Sequence, residues 1–303
     1  MIKLSVFTVA TADVTPEELC REAAAAGIEG IEWRCKEISA ETRLEAPSFW
    51  GNNHSTLSPL ASEEEIGRFK QAVDNYGRKT LALAPYIQCG DLETTERIFK
   101  LANRMDASMV RVGVPAYNRT RSYNELYDQA VVYLQEVEVL AKEHNLKALV
   151  ETHHYTIAPS ASLAHRLVSG FNPDHIGVIY DPGNMVHEGY ENFRLGLELL
   201  GPYLAHVHVK NAGWLPAGGD HPNSAAAAVQ GTVEGDSLQP IDWTCSWRPI
   251  ASGVIPWKQV LTDLKAVKYD GWLGLEDFSG TYNTVTMLAK YAQQMNQWME
   301  EIE

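Results

Sequence analysis

Carboxylates and imidazoles gather in four short stretches in the second half of this 303-residue sequence. Each stretch contains or follows an apolar run, and the four read LVETHH, IYDPGN, HVHVK and LGLEDF. They supply Glu151, His153 and His154, then Asp181 and Asn184, then His206, His208 and Lys210, and finally Glu276 and Asp277. These side-chain types bind divalent cations and exchange protons with substrates. The pattern therefore indicates a metal site, acid–base chemistry, or both.

A repeated strand-and-helix pattern supplies the elements that must bring these stretches together. Apolar runs rich in β-branched residues cover 2–10, 30–34, 80–86, 109–115, 146–152, 176–181, 204–210 and 271–277. Helical patterns alternate with them, at 15–27, 62–77, 92–105, 122–144, 162–169, 191–200, 257–267 and 281–299. Thr15-Pro16 and the capping-box spacing of Ser62 with Glu65 mark two of the helix starts.

This alternation is typical of an α/β fold with a parallel sheet. Eight strands and eight helices in a chain of this length predict a single (β/α)₈ TIM barrel over 1–303. An open doubly wound sheet is the alternative, but no Gly-x-Gly-x-x-Gly follows the first strand to support a dinucleotide site.

The barrel hypothesis places the four stretches side by side, because the carboxyl ends of parallel strands meet at one face. On the seventh strand His206, His208 and Lys210 alternate and so share a face. Buried carboxylates repel each other without a positive partner, so two Glu, one Asp and one His favour one divalent cation. Such oxygen-rich ligands suit Mn²⁺ first, then Mg²⁺ or Co²⁺, with Zn²⁺ as an alternative. Alone, each residue is compatible with a helix cap, a turn or a packed core, so the hypothesis depends on their joint occurrence.

The segment 213–253 breaks the alternation, because it is rich in Gly, Pro, Ala and Trp and shows no clear period. It follows the seventh strand, which places it on the face of the predicted site. We interpret it as an inserted active-site loop or lid, with a short helix at 224–231. Trp214, Trp243 and Trp247 in this segment suit sugar stacking, a subunit contact in a homo-oligomer, or local packing.

The composition argues against several classes of protein. A formal net charge of −14 disfavours nucleic-acid binding, since such proteins concentrate Lys and Arg on the binding face. The four cysteines lie far apart with no Cys-x-x-Cys pair, which fits a reducing cytoplasm better than a disulfide framework. The sequence shows neither a secretory signal pattern nor an apolar run long enough to span a membrane, so we expect a soluble, cytoplasmic protein.

The order VETHH, YDPGN, HVHVKN and GLED resembles the xylose isomerase-like superfamily of TIM barrels. GIEGIEWR on the second strand and the stretch 255–277 are also similar to that family, so the resemblance covers nearly the whole chain. The family includes sugar isomerases and epimerases, inosose and 3-dehydroshikimate dehydratases, and endonuclease IV. The resemblance implies one divalent cation held by Glu151, Asp181, His208 and Glu276. Asn184 stands where endonuclease IV carries a histidine, which again disfavours a DNA substrate.

The resemblance also implies roles for the neighbouring residues. His206 would be packed in the interior, one step deeper than the ligand histidine, and Lys210 would contact the substrate. His153 would face the substrate, whereas His154 would point outward and be structural. Further substrate ligands would be Asn184, Arg34 and His187, each of which is equally compatible with a loop or rim position.

The function that follows is that of a metal-dependent isomerase or epimerase acting on a small sugar or polyol ketone in carbohydrate metabolism. Glu151 and Glu276 would be the acid/base pair that removes and returns a proton through an enediolate. A dehydratase or other lyase of a keto-sugar, inosose or glycoside would share the first step and then expel a β-substituent. A barrel that binds sugar without catalysis is the third alternative.

Overall fold

The computed structural model describes residues 2–216 and 243–302, and a closed barrel of parallel strands forms its centre. The barrel strands are β1 Lys3–Phe7, β2 Gly30–Cys35, β3 Lys79–Pro85, β4 Met109–Arg111, β5 Lys147–Glu151, β6 Ile176–Tyr180, β7 Leu204–Val209 and β10 Trp272–Leu275. Around the ring the order is β1-β10-β7-β6-β5-β4-β3-β2, and every neighbouring pair is parallel. The predicted (β/α)₈ TIM barrel is therefore confirmed.

Helices follow the barrel strands along the chain and pack against them through a large apolar core. They are α1 Pro16–Ala26, α2 Glu63–Asn75, α3 Leu92–Arg104, α4 Tyr123–His144, α5 Ala161–Val168, α6 Pro182–Met185, α7 Phe193–Leu200, α8 Trp257–Ala266 and α9 Thr284–Glu301. Short 3₁₀ turns lie at Thr8–Ala10, Thr42–Leu44, Val186–Glu188 and Gly201–Tyr203. Among the helices of these two described ranges, none is long and apolar enough to cross a membrane.

Side-chain caps fix where the helices begin. Thr15 is the N-cap of α1, as the Thr-Pro signal predicted, and with Glu18 it also forms a complete capping box. Ser62 caps α2 by accepting a hydrogen bond from the backbone N–H of Glu65 at 3.2 Å. The predicted box is only half formed there, because the Glu65 carboxylate accepts from the backbone N–H of Ser58 instead, at 3.1 Å.

A small apolar cluster fills part of the barrel interior beneath the strand ends. Its members are Leu81, Ala82, Met109, Leu149 and Ile179. Leu149 and Ile179 lie two residues before Glu151 and Asp181, and alternate residues of a strand share a face. Two apolar side chains of the cluster therefore lie one step below Glu151 and Asp181 on the same strands.

The segment predicted as a loop contains an antiparallel ribbon. Strand β8, Asn211–Pro216, pairs with β9, Trp243–Arg248, so that Asn211 lies opposite Arg248 and Pro216 opposite Trp243. The prediction of an aperiodic loop is wrong for these residues, since Trp243, Cys245 and Trp247 alternate as a strand requires. The helix predicted at 224–231 lies outside the described residues.

Candidate active site

The four predicted metal ligands meet at the carboxyl ends of β5, β6, β7 and β10. Glu151, Asp181, His208 and Glu276 are all buried, and each offers one ligand atom within 4.8 Å of the others. The Nδ1 atom of His208 is 3.2 Å from Oε1 of Glu151, 3.7 Å from Oδ2 of Asp181 and 3.6 Å from Oε2 of Glu276. One imidazole nitrogen thus faces three carboxylates.

The backbone of each strand end holds these side chains in place. Glu151 is the last residue of β5, and Glu276 directly follows β10, where its N–H donates to Val209 O at 3.0 Å. Asp181 follows β6 and caps α6, accepting the Asn184 N–H on Oδ1 at 2.9 Å. That hydrogen bond leaves Oδ2 of Asp181 turned toward His208.

Glycine at position 274 makes room for the histidines of the neighbouring strand. Gly274 pairs with His208 across β10 and β7. A Cβ atom on Gly274 would lie 2.9 Å from Nε2 of His206 and 3.3 Å from Cδ2 of His208. Any larger residue would therefore push against both imidazoles.

Two basic side chains balance the carboxylates. Lys210 donates from Nζ to Oδ2 of Asp181 at 2.8 Å and to Oδ1 of Asn184 at 3.1 Å, and it also contacts Glu276. Arg111, the last residue of β4, donates to Oε2 of Glu151 at 2.7 Å. Arg111 was not among the predicted site residues. Its signal in the sequence was a charged residue inside an otherwise apolar strand.

A buried carboxylate holds both histidines of β7 from behind. Oε2 of Glu32, on β2, accepts from Nε2 of His206 at 3.1 Å and from Nε2 of His208 at 2.9 Å. An ionised carboxylate can only accept, so both rings carry a proton on Nε2. His208 therefore presents Nδ1 to the three carboxylates. His206 is fully buried, in agreement with the expectation that it is a packed interior residue.

Burial and charge set the protonation of the cluster. Burial raises the pKa of Glu276 to about 7, although Lys210 and His208 oppose the shift. Burial also disfavours a charged Glu151, yet Arg111 and His208 hold its pKa well below the ordinary value. For His208 the effect of burial is overcome by Glu276 and the other carboxylates, which raise its pKa well above normal. The carboxylates and the positive charges of Lys210, Arg111 and His208 thus shift one another's pKa values.

The donor set fits a divalent cation. Three carboxylates are hard ligands and the imidazole is a borderline one, a set that divalent cations such as Mn²⁺ or Zn²⁺ accept. Oε2 of Glu276 is buried, with the Lys210 ammonium as its contact and no regular hydrogen bond among the described residues. A ligating histidine commonly donates its second N–H to a carboxylate, which is what Glu32 provides for His208. Glu151, Asp181, His208 and Glu276 are therefore the residues that would hold the ion.

A cavity of about 490 Å³ opens above the cluster. Of the four candidate ligands, only Glu151 and Glu276 line it, together with Lys210. Two predicted substrate ligands, His153 and Asn184, also line the cavity. Asn184 additionally donates to Oε1 of Glu151 at 3.2 Å.

Two of the predicted substrate ligands do not line the cavity. The Arg34 guanidinium is buried and donates to Thr56 Oγ1 at 2.8 Å and to Trp50 O at 2.7 Å, so it holds the loop after β2. His187 lies in the turn after α6 and stacks behind His154, with ring centroids 4.0 Å apart. Neither residue is therefore placed to touch a ligand in this cavity.

The position of His154 differs from the one expected from the sequence. It was predicted to point outward, but it lines the cavity and stacks on His153 with centroids 4.3 Å apart. The chain leaves β5 after Glu151, so strand alternation no longer applies to the residues that follow. Burial lowers the pKa of His154 to about 3, so its ring is neutral.

Replacing Glu32 with Gln is expected to weaken metal binding about 10- to 100-fold, because the neutral amide holds and polarises His208 less well. Titration of Mn²⁺ into the metal-free protein, followed by calorimetry, measures the dissociation constant. Glu29→Gln, an exposed change just before the same strand, is the matched control. An unchanged dissociation constant in Glu32→Gln would mean that Glu32 contributes to packing alone.

Comparison with known proteins agrees with this fold. The model of the xylose isomerase-like TIM barrel family matches residues 20–302. Inosose dehydratase 1 of Bacillus cereus is 24% identical over 242 residues, covering 80% of this chain and 72% of that protein. The IOLI protein, solved with a zinc atom, has a TM-score of 0.71 at 14% identity, covering 100% of this chain and 99% of that chain. A D-tagatose 3-epimerase-like protein has a TM-score of 0.69 at 15% identity, covering 99% of this chain and 98% of that chain. The chain therefore belongs to the xylose isomerase-like TIM barrel family.

Proposed function

We propose that this protein is a divalent-metal-dependent isomerase or epimerase of a small sugar or polyol ketone. The proposal rests on the different positions of the four candidate ligands relative to the cavity. Asp181 and His208 lie below the cavity, whereas Glu151 and Glu276 line it. Two carboxylates that reach both the cation and the substrate are placed to exchange protons with carbon.

Each residue then has a defined task. Glu151 and Glu276 come from β5 and β10, which are separated by two strands in the ring, so they approach the substrate from different sides. One removes the carbon-bound proton and the other returns it. Lys210 and His153 line the cavity as well and would orient substrate oxygens. The cation, with Mn²⁺ as our first choice, would supply positive charge that makes a proton beside a carbonyl easier to remove.

A dehydratase is the second candidate. The sequence relative named inosose dehydratase 1 supports it, because a dehydratase begins with the same removal of a proton next to a carbonyl. The two reactions diverge afterwards, since a lyase expels a β-substituent where an epimerase returns the proton. A non-catalytic sugar-binding barrel is disfavoured, because binding alone does not require two carboxylates at the cavity wall.

The ribbon of β8 and β9 is proposed as the cover of one side of the site. Trp247 of β9 lines the cavity, and Trp214 of β8 donates from Nε1 to Val186 O at 2.9 Å. These contacts attach the ribbon to the barrel beside the candidate ligands. We therefore propose that the ribbon, which contains described residues of the predicted 213–253 insertion, is part of the active site of a single domain.

Deuterium incorporation from heavy water tests the proposal. Ketoses, aldoses and inososes are incubated with the Mn²⁺-loaded protein and with a chelator-treated sample, and exchange is followed by NMR. We expect metal-dependent exchange at a carbon next to the carbonyl. The products then separate isomerase from dehydratase, because only the latter yields an unsaturated or deoxygenated compound. Tight binding of a sugar without exchange would instead support the binding-only alternative.

A further inference from the structure

One wall of the cavity is a continuous row of aromatic rings that begins at the candidate ligands. The Nζ atom of Lys210 lies 5.0 Å from the ring centroids of both Trp247 and Phe278. Phe278 in turn packs against Trp50, with centroids 4.9 Å apart. Phe278 is 8% exposed and Trp50 is 53% exposed, so the row leads from the buried end of the cavity to its mouth.

A second pair of rings lies near Arg111. The Arg111 guanidinium carbon is 5.6 Å from the ring centroid of Phe7 and 5.5 Å from that of Tyr86. Phe7 is buried, whereas Tyr86 is 43% exposed. Both residues line the same cavity as Trp50 and Phe278. Aromatic surface therefore extends outward from both basic residues of the site.

The cavity is larger than one sugar ring requires. A hexose displaces roughly six waters, on the order of 180 Å³ at ~30 Å³ each. The cavity measures about 490 Å³. A monosaccharide held at Glu151 and Glu276 would leave the space beside Trp50 and Tyr86 filled with water.

Both rings at the mouth keep exposed surface although each has a packing partner: Trp50 packs against Phe278, and Tyr86 against the guanidinium groups of Arg34 and Arg111. The side chain of Trp50 is half exposed, while the contact that fixes its loop comes from its backbone oxygen, which accepts from Arg34 at 2.7 Å. Aromatic rings stack on flat groups with an apolar face, and sugar rings and aromatic rings both have such a face. Trp50 and Tyr86 are thus suited to a second ring of a ligand whose first ring lies deeper.

We propose that the site takes a glycoside whose reacting sugar carries a ketone, with that sugar at Glu151 and Glu276 and an attached ring stacked at the mouth against Trp50. The position of the reacting sugar rests on the proposed function. The position of the second ring rests on the aromatic row from Phe278 to Trp50 and on the size of the cavity.

Binding measurements with chosen glycosides test this proposal without relying on turnover. The ligands are methyl and phenyl glycosides of glucose, galactose and xylose, with cellobiose as the compound whose second ring is a sugar. They carry no ketone and therefore serve as binding probes only. Each is titrated into the full-length, Mn²⁺-loaded protein by calorimetry. We expect the phenyl glycoside or the disaccharide to bind roughly tenfold more tightly than the methyl glycoside of the same sugar. The comparison of phenyl glucoside with cellobiose shows whether the second ring is aromatic or a sugar.

Two Trp→Ala variants locate the second ring. Trp50→Ala keeps the backbone oxygen that Arg34 uses, so the fold is expected to be unchanged. The preference for the second ring should fall to about twofold or less in this variant, because its stacking surface is gone. Trp243→Ala is the control, since Trp243 is 54% exposed but does not line the cavity, and it should keep the full preference.

The possible results distinguish a failure of the glycoside proposal from a failure of the proposed function. Equal affinities for methyl and phenyl glycosides and for cellobiose, or a preference that survives in Trp50→Ala, would overturn the glycoside proposal. Metal-dependent deuterium exchange in a free monosaccharide would then leave the proposed function standing. Conversely, a Trp50-dependent preference without exchange in any compound would support the glycoside site and count against the proposed chemistry.

Discussion

Glu276→Gln is expected to lower turnover by about 10²–10⁴-fold, which is the usual contribution of a positioned acid or base. The amide keeps the shape of the side chain and an oxygen for the cation, but it cannot exchange a proton. Glu276 lines the cavity and touches Lys210, so the change acts where substrate and candidate ligands meet. The rate of deuterium exchange at saturating Mn²⁺, with metal content measured in the same sample, gives the result.

Asp277→Asn is the matched control for this experiment. Asp277 is the next residue and is also buried, but its carboxylate accepts from the Ser279 N–H at 2.8 Å and does not line this cavity. We expect Asp277→Asn to retain nearly full turnover. Full turnover in Glu276→Gln with metal bound would show that Glu276 is not part of the acid/base pair.

Arg111→Met is expected to destabilise the metal-free protein by about 3–5 kcal/mol, because it leaves the buried carboxylate of Glu151 without its closest positive partner. The Arg111–Glu151 pair is 2.7 Å long, with side chains 15% and 6% exposed, so solvent screens it weakly. Methionine keeps most of the apolar volume beside Phe7 and Tyr86. Urea denaturation in the presence of a chelator measures the loss in the free energy of unfolding.

Added Mn²⁺ should restore part of this loss, since a cation bound between Glu151 and its neighbours compensates the same charge. Arg194→Met is the control, because its pair with Glu198 is an exposed i,i+4 pair on α7 and contributes about 0.3–0.5 kcal/mol. A loss of the same size with and without Mn²⁺ would mean that the ion pair and the cation do not share Glu151.

The strand ends show what the local sequence pattern can predict about this protein. The apolar run before Glu151 and the β-branched run before Asp181 specify strands, and the parallel arrangement then brings their carboxyl ends to one face. The same reasoning placed His208 and Glu276 beside them, and the four residues do meet. Bringing the four residues together needed only the order of the elements and the two-residue period of a strand, whereas their role as metal ligands stays a prediction.

Local sequence pattern did not identify hydrogen-bond and ion-pair partners that lie far apart in the chain. Glu32 is 176 positions from His208, and Arg111 is 40 positions from Glu151. Both are charged residues inside apolar strands, which signals a buried partner, but the identity of the partner depends on which strands adjoin or face each other across the barrel. Arg34 gave the same signal and instead hydrogen-bonds to the loop after its own strand.

The sequence by itself determined the barrel and the set of residues at its carboxyl end, because periodicity and helix caps are local properties of the chain. The tertiary structure decided which of those side chains face the cavity. His154 turns in and His187 packs behind it, since neither lies on a strand whose alternation would fix its direction. It also decided how charge is balanced, because the pairing of Glu32, Arg111 and Lys210 with the central cluster arises only when distant strands close into a ring.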